Sequence, residues 1–186
     1  MDRETARVRL LDAAEDLFYT RGIQTVGMDD IRSASGVSLK RLYQVFPAKD
    51  QLVEAYLERR DTRWRARLAV YVDTVEDPRE RILAVFDWLE RWFAEPGFRG
   101  CAWINSFGEL GAVSEAVAAQ ARRHKSAFRS YLGGLVGEAA LPTELTDQLL
   151  LLAEGAMVTA GIFGRTDPAR HGRTAAAALV RAASRN

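Results

Sequence analysis

The sequence predicts an all-α protein of about nine helices, and three observations carry that prediction. The prolines, Pro47, Pro78, Pro96, Pro142 and Pro168, separate long stretches of helix-forming residues. Proline is tolerated at a helix start and disfavoured inside, so each marks a boundary. Apolar residues recur every three or four positions along most stretches. No run alternates convincingly with a period of two, and no hairpin dipeptide joins two such runs.

Taken in order, a first helix is expected from about Arg3 to Arg21, with Val8, Leu11, Ala14, Leu17 and Phe18 on one side and Gly22 ending it. Two short helices follow at about Met28–Ser35 and Leu39–Val45, broken at Ser35-Gly36-Val37-Ser38. Met28, Ile31 and Ala34 form an apolar edge on the first of them. Asp29 and Asp30 suit the positive end of its dipole. Gly36 supplies the backbone angle of a tight turn, and Ser38 is placed to cap the next helix. Two helices joined by a glycine turn, the second rich in long hydrogen-bond donors, describe a helix-turn-helix. The first helix braces it, because two short helices cannot bury a core alone.

From Lys49 a long helix reaches towards Thr74, with Leu52, Tyr56, Trp64, Leu68 and Tyr71 or Val72 along it. Its length makes it a candidate lever. A fifth helix from Pro78 carries Ile82, Val85, Phe86, Leu89, Trp92 and Phe93, and Trp88 widens that face enough to imply burial on two sides. Glu95 to Gly100 is a break. A short helix at about Ala102–Leu110 and a longer one at about Ser114–Gly137 come next. The last two are Leu- and Ala-rich, at about 142–163 and 168–184.

Composition bounds the function. With 186 residues, 48% of them hydrophobic and 27% charged, the chain is long enough to bury a core. A net charge of +1 argues against nonspecific coating of nucleic acid or membrane. It leaves room for one local basic patch. From Ile31 to Lys49 the charged residues are Arg32, Lys40, Arg41 and Lys49, with no carboxylate among them. Consecutive cations beside a tyrosine and a glutamine suit both phosphate contact and base-edge reading. A solvated face on an ordinary helical hairpin is the plainer alternative. The single Cys101 rules out an internal disulfide and suits a reducing cytosol. No apolar run of membrane length is read from the sequence, and no signal-peptide core follows Met1. The expected location is the cytoplasm, with no membrane partner.

The run Gly36-Val37-Ser38, then Leu42-Tyr43, Phe46 and Lys49, resembles the signature of tetracycline-repressor (TetR-like) transcription regulators. Asp30-Ile31 and the upstream Leu17-Phe18 and Gly22 fit the same pattern. Three positions depart from it: Val26-Gly27 ahead of the first motif helix, Lys40-Arg41 within the second, and Val45 before the phenylalanine. The resemblance implies an N-terminal three-helix DNA-binding head, residues 1–47, and a helical ligand-binding and dimerisation domain, residues 48–186. It implies double-stranded operator DNA, a small-molecule effector and a second copy as partners. The DNA-binding residues expected are Thr25, Ser38, Leu39, Lys40, Arg41, Tyr43, Gln44 and Lys49. Lys40, Arg41 and Gln44 are assigned to base edges, Arg to guanine and Gln to adenine. Thr25, Ser38, Tyr43 and Lys49 are assigned to phosphates. The function expected is a repressor released by a small apolar or aromatic ligand, acting through the long fourth helix. The alternative is a helical small-molecule-binding or scaffold protein that no longer reads DNA, supported by Val26-Gly27 and Val45.

The last two helices are expected to meet their copies in a four-helix bundle, with a packed monomeric core as the alternative. Trp64, Trp88, Trp92, Trp103, Phe107, Phe128, Tyr131 and Met157 form either plain core or an apolar ligand cavity. Asn105 and Glu109, one turn apart, are placed to orient a ligand there. Glu154 is either an interface carboxylate or a pocket group. No phosphate loop, nucleophile elbow or zinc motif occurs, so no enzyme, cofactor or metal is expected. His124 and His171 are expected at the surface, and Cys101 as a small buried residue.

Overall fold

The structure is a computed structural model that describes residues 1–184; residues 185 and 186, at the end of the expected second domain, lie outside the described residues. Among the described residues there are nine α-helices and no strand. They are α1 (Arg3–Arg21), α2 (Met28–Ser35), α3 (Leu39–Val45), α4 (Lys49–Val72), α5 (Pro78–Phe93), α6 (Ala102–Leu110), α7 (Glu115–Glu138), α8 (Leu145–Phe163) and α9 (Asp167–Ala183). The chain divides into two compact units: residues 1–62 with 102–122, and 63–101 with 123 onward.

In the first unit α1, α2 and α3 pack on one another. Asp2 caps α1, its carboxylate accepting from the Thr5 N–H at 2.8 Å. Gly22 ends the helix at φ +87°, its N–H donating to the Phe18 carbonyl at 3.1 Å. The inward face of α1 is Ala6, Leu10, Leu11, Ala13, Ala14, Leu17 and Phe18. Val8, expected there, is exposed. Val8 points about 200° round the helix from Ala6, outside the arc that the buried residues cover. On α2 only Ile31 is buried. A strict spacing of three drifts about 60° per step, so Ala34 swings out to solvent.

The first half of α4 joins this unit through polar contacts with α1. Arg59 bridges Asp12 at 2.8 Å and Glu15 at 3.0 Å. Arg60 reaches the same Glu15 at 3.0 Å while its guanidinium lies 3.9 Å from the Tyr19 ring centre. Sequence-distant α6 joins through Glu109. Its carboxylate accepts from the Gln24 N–H at 3.0 Å, and its carbonyl accepts from Gln24 Nε2. A Cβ at Gly22 would lie 3.1 Å from that carboxylate, so the glycine also clears space for it.

In the second unit α5 starts at Asp77, whose carboxylate accepts from the N–H groups of Arg79 and Glu80, with Pro78 at the first helical position. Its buried residues run from Ile82 to Phe86, then Trp88, Leu89, Trp92 and Phe93, the two-sided burial the sequence implied. It packs on α8 and α9, which also pack on each other. Gly172 of α9 lets the Phe86 ring close in, since a Cβ there would fall 2.9 Å from the ring.

Two further expectations change. His124 is not a surface residue: it is 1% exposed and lies edge-on to Trp64 with ring centres 5.1 Å apart. It falls on the α7 stripe of Val117, Ala121, Phe128 and Leu132, all buried, so helical phase overrides its cationic neighbours. Second, α8 is a 19-residue helix long and apolar enough, by length and composition, to cross a membrane, with a mean hydropathy of 1.2. It nonetheless carries Asp147 and Glu154, and buries Leu149, Ala153, Ala156, Met157 and Ala160 against protein. His171 is exposed and Cys101 is buried, as read.

Candidate nucleic-acid interface

The interface is built on the turn between α2 and α3. Gly36 adopts the left-handed conformation, φ +65°, and its N–H donates to the Arg32 carbonyl at 3.1 Å. Ser38 then starts α3 in an extended conformation, its hydroxyl accepting from the Arg41 N–H at 3.4 Å. Asp30 closes the start of α2 by accepting from the Gly27 N–H at 2.7 Å. Leu42, Val45 and the following Phe46 are buried, which fixes the rotation of α3 about its axis. That rotation turns Leu39, Lys40, Tyr43 and Gln44 to solvent, with Arg41 half-buried at the edge.

Neither Lys40 nor Arg41 has a carboxylate partner among the described residues. Both are therefore available to phosphates or base edges without breaking an ion pair. Arg32 on α2 differs, being held by Asp29 at 3.3 Å. Three of the expected phosphate residues have partners within the protein. The Thr25 hydroxyl donates to the Arg21 carbonyl at 2.7 Å. With its single proton directed there, it can meet a phosphate only by giving up that bond. Lys49 donates to the Ile23 carbonyl at 2.6 Å and lies 5.9 Å from the Phe18 ring centre. An ammonium has three protons, so two remain for an anion. The Ser38 oxygen accepts from Arg41, which leaves its proton free to donate.

Val26 and Val45, two of the departures from the expected pattern, are both buried in the head. They are packing residues here, and burial accounts for them without reference to DNA.

The other predicted set divides between the two units. Trp64, Trp88, Trp92 and Phe128 belong to the second unit and interlock. Trp64 meets Trp88, Trp92 and Phe128 edge-on, with ring centres 5.1, 5.6 and 5.3 Å away. Trp88 and Trp92 stack at 5.6 Å. Met157 is buried in the same unit. The Tyr131 hydroxyl there is buried without a hydrogen-bond partner, and burial with the Asp73 carboxylate nearby pushes its pKa up to about 12. Glu154 pairs with Lys125 at 2.5 Å, and the same ammonium lies 3.3 Å from the Cys101 sulfur. Trp103, Asn105, Phe107 and Glu109 belong to the first unit. Trp103 is buried, Asn105 and Phe107 are exposed, and Glu109 is engaged by Gln24 as described. The sequence offered no sign of that last contact, which joins residues 85 positions apart.

Residues 10–56 match the family model for bacterial regulatory proteins of the tetR family. A TetR-type transcriptional regulator from Streptomyces avermitilis is 31% identical in its solved structure, with a TM-score of 0.83 over 96% of this chain and 98% of that one. This chain belongs to the TetR family. A TetR-family transcriptional regulator from Streptomyces coelicolor superimposes with a TM-score of 0.88 at 27% identity, covering 97% of each chain. An uncharacterized helix-turn-helix transcriptional regulator of Mycobacterium tuberculosis is 34% identical over 136 residues, 70% of this chain and 64% of that protein's length. The helix-turn-helix transcriptional activator FasR of Mycolicibacterium smegmatis is 35% identical over 94 residues, 48% of this chain and 43% of that protein. Both α2 and α3, the helix-turn-helix pair, lie within the residues that match the family model.

Proposed function

We propose that this protein is a homodimeric, sequence-specific DNA-binding transcriptional regulator of the cytoplasm, a repressor released by a small apolar or aromatic ligand. The observation that carries the DNA reading is the outward face of α3. Its side chains are held in phase by buried Leu42 and Val45, and Lys40 and Arg41 there have no carboxylate partner among the described residues. Lys40, Arg41 and Gln44 read base edges, while Ser38, Tyr43 and Lys49 hold phosphates. Residues 1–47 supply the reading head, and 48–186 the ligand-binding and dimerising part.

The aromatic side chains of the second unit support a ligand that is flat and apolar, since Trp88 and Trp92 line a groove there of about 600 Å³. The exposed apolar residues of α8 support a second copy as the partner. Repression is the sign proposed; FasR is named an activator, and a reporter assay separates the two.

The test begins with random duplexes incubated with purified protein, captured and sequenced. An enriched two-fold-symmetric sequence is expected, bound with a steep dependence on salt. Enrichment of nothing overturns the DNA reading. A reporter carrying the enriched sequence, with the protein present or absent, gives the sign of regulation. Compounds that raise the melting temperature of the protein are then added to the bound complex, and release is the expected result.

A further inference from the structure

The reading face of α3 holds a side chain that neither phosphates nor hydrogen-bonding base edges explain. Leu39, the first residue of the helix, is 47% exposed. Its neighbours in helical phase, Leu42 and Val45, are buried and complete the inward face without it. Leucine carries no donor or acceptor. Set against a base edge that presents only polar atoms, it leaves them unpaired, at a cost. In the major groove one natural base presents an apolar group, the C5-methyl of thymine. The first residues of a reading helix are those that meet base edges.

We propose that Leu39 is a specificity-determining residue that reads the methyl group of a thymine in each half-site. The inference rests on the DNA-binding reading and extends it to a base that the polar residues of α3 do not select. Leu39 packs against the methyl, while Arg41 and Gln44 bond to neighbouring edges. A cytosine at that position is rejected because it has no methyl and directs an amino group at the side chain. A 5-methylcytosine restores the apolar contact and not the rest.

The experiment uses the full chain and the duplex it enriches from random DNA. At each thymine of one half-site, uracil is substituted, which removes only the methyl. Wild type is expected to lose about three- to fivefold in affinity at one thymine, the effect of exposing one buried methyl. Leu39→Ala is expected to lose less than about half as much on the same change, by the same relation. Placing 5-methylcytosine there should bind wild type more tightly than cytosine and leave Leu39→Ala indifferent. Helical content by circular dichroism verifies that the variant is folded, and Leu39→Met, which keeps an apolar tip, should retain the discrimination. Uracil losses equal in wild type and Leu39→Ala, or none at any thymine, overturn the proposal while the DNA-binding reading stands. Failure to enrich any sequence overturns both.

Discussion

Arg41 combines two roles that pull on the same residue. Its backbone N–H is taken by the Ser38 cap, while its guanidinium stands half-buried at the edge of the outward face of α3. Replacement by alanine leaves the cap untouched and removes only the fork of donors. Arg41→Ala is therefore expected to weaken operator binding by about 1–3 kcal/mol and relax preference at one base pair, measured by titration against single-base variants. Lys49 behaves differently because its ammonium already holds the Ile23 carbonyl at 2.6 Å. Lys49→Ala is expected to lower the slope of log affinity against log salt by about one, equally on all sequences. It should also destabilise the fold by about 1–3 kcal/mol, since a charged hydrogen bond to a part-buried carbonyl is lost. An unchanged salt slope with lowered stability would assign Lys49 to structure alone. Asp2 offers a readout by pH. The Thr5 hydroxyl and N–H hold its carboxyl down to about 2, from an ordinary 3.8. A depressed carboxyl stabilises the fold above its unfolded value, and that contribution disappears as pH falls through the folded one. The first turn of α1 should thus fray between about pH 4 and pH 2, and Thr5→Val should raise the Asp2 midpoint towards 3.8 by NMR titration.

At the scale of elements, packing depends on small residues where helices approach. Gly172 of α9 faces the ring of Phe86 on α5, and Phe86 is itself fully buried. A methyl group there has no flexible chain end to push aside. Gly172→Ala is expected to destabilise the protein by about 1–3 kcal/mol through overpacking, even though alanine is the better helix former. Thermal melting of the two proteins measures it. The helix boundaries were legible from proline, glycine and cap chemistry, and those are local signals: Pro78 opens α5, and Ser38 starts α3 by a bond within three residues. The outward face of α3 was legible for the same reason, because Leu42 and Val45 set its phase from inside a seven-residue helix. The burial of His124 follows from its place on the Val117–Ala121–Phe128 stripe, which its cationic neighbours in sequence obscure. The bond between Glu109 and Gln24 was not legible at all. Its two partners each look like ordinary surface residues, and only the tertiary approach of α6 to the turn after α1 joins them. Pro47 falls between α3 and α4, while Arg59 and Arg60 grip α1 and tie the first half of α4 into the first unit.

For the whole molecule the proposed dimer rests on the open surface of α8. Leu151 and Ile162 are 72% and 73% exposed, and Phe163 is exposed beside them. Between α8 and α9 lies a cleft of about 480 Å³ lined by Leu151, Leu152, Ala156, Phe163 and Pro168 among others. Apolar side chains so placed on a helix already packed along its other side call for a second surface, and a self-complementary one gives two-fold symmetry. Symmetry in turn sets the operator, because two reading helices on one face of B-DNA address half-sites about 34–36 Å apart or a multiple of that. Leu151→Asp with Ile162→Asp tests both links at once. Neither side chain supports the core, so melting of the isolated chain should change by about 0.5 kcal/mol or less per site, apart from what the dimer contributes. Sedimentation should show a monomer where wild type is a dimer. Each head then binds its half-site alone, and affinity for the full operator should fall by about a hundredfold or more as the linked second contact is lost. Affinity for an isolated half-site should be unchanged. A variant that stays dimeric would move the interface away from α8. A monomer with undiminished operator affinity would break the connection between symmetry and DNA reading.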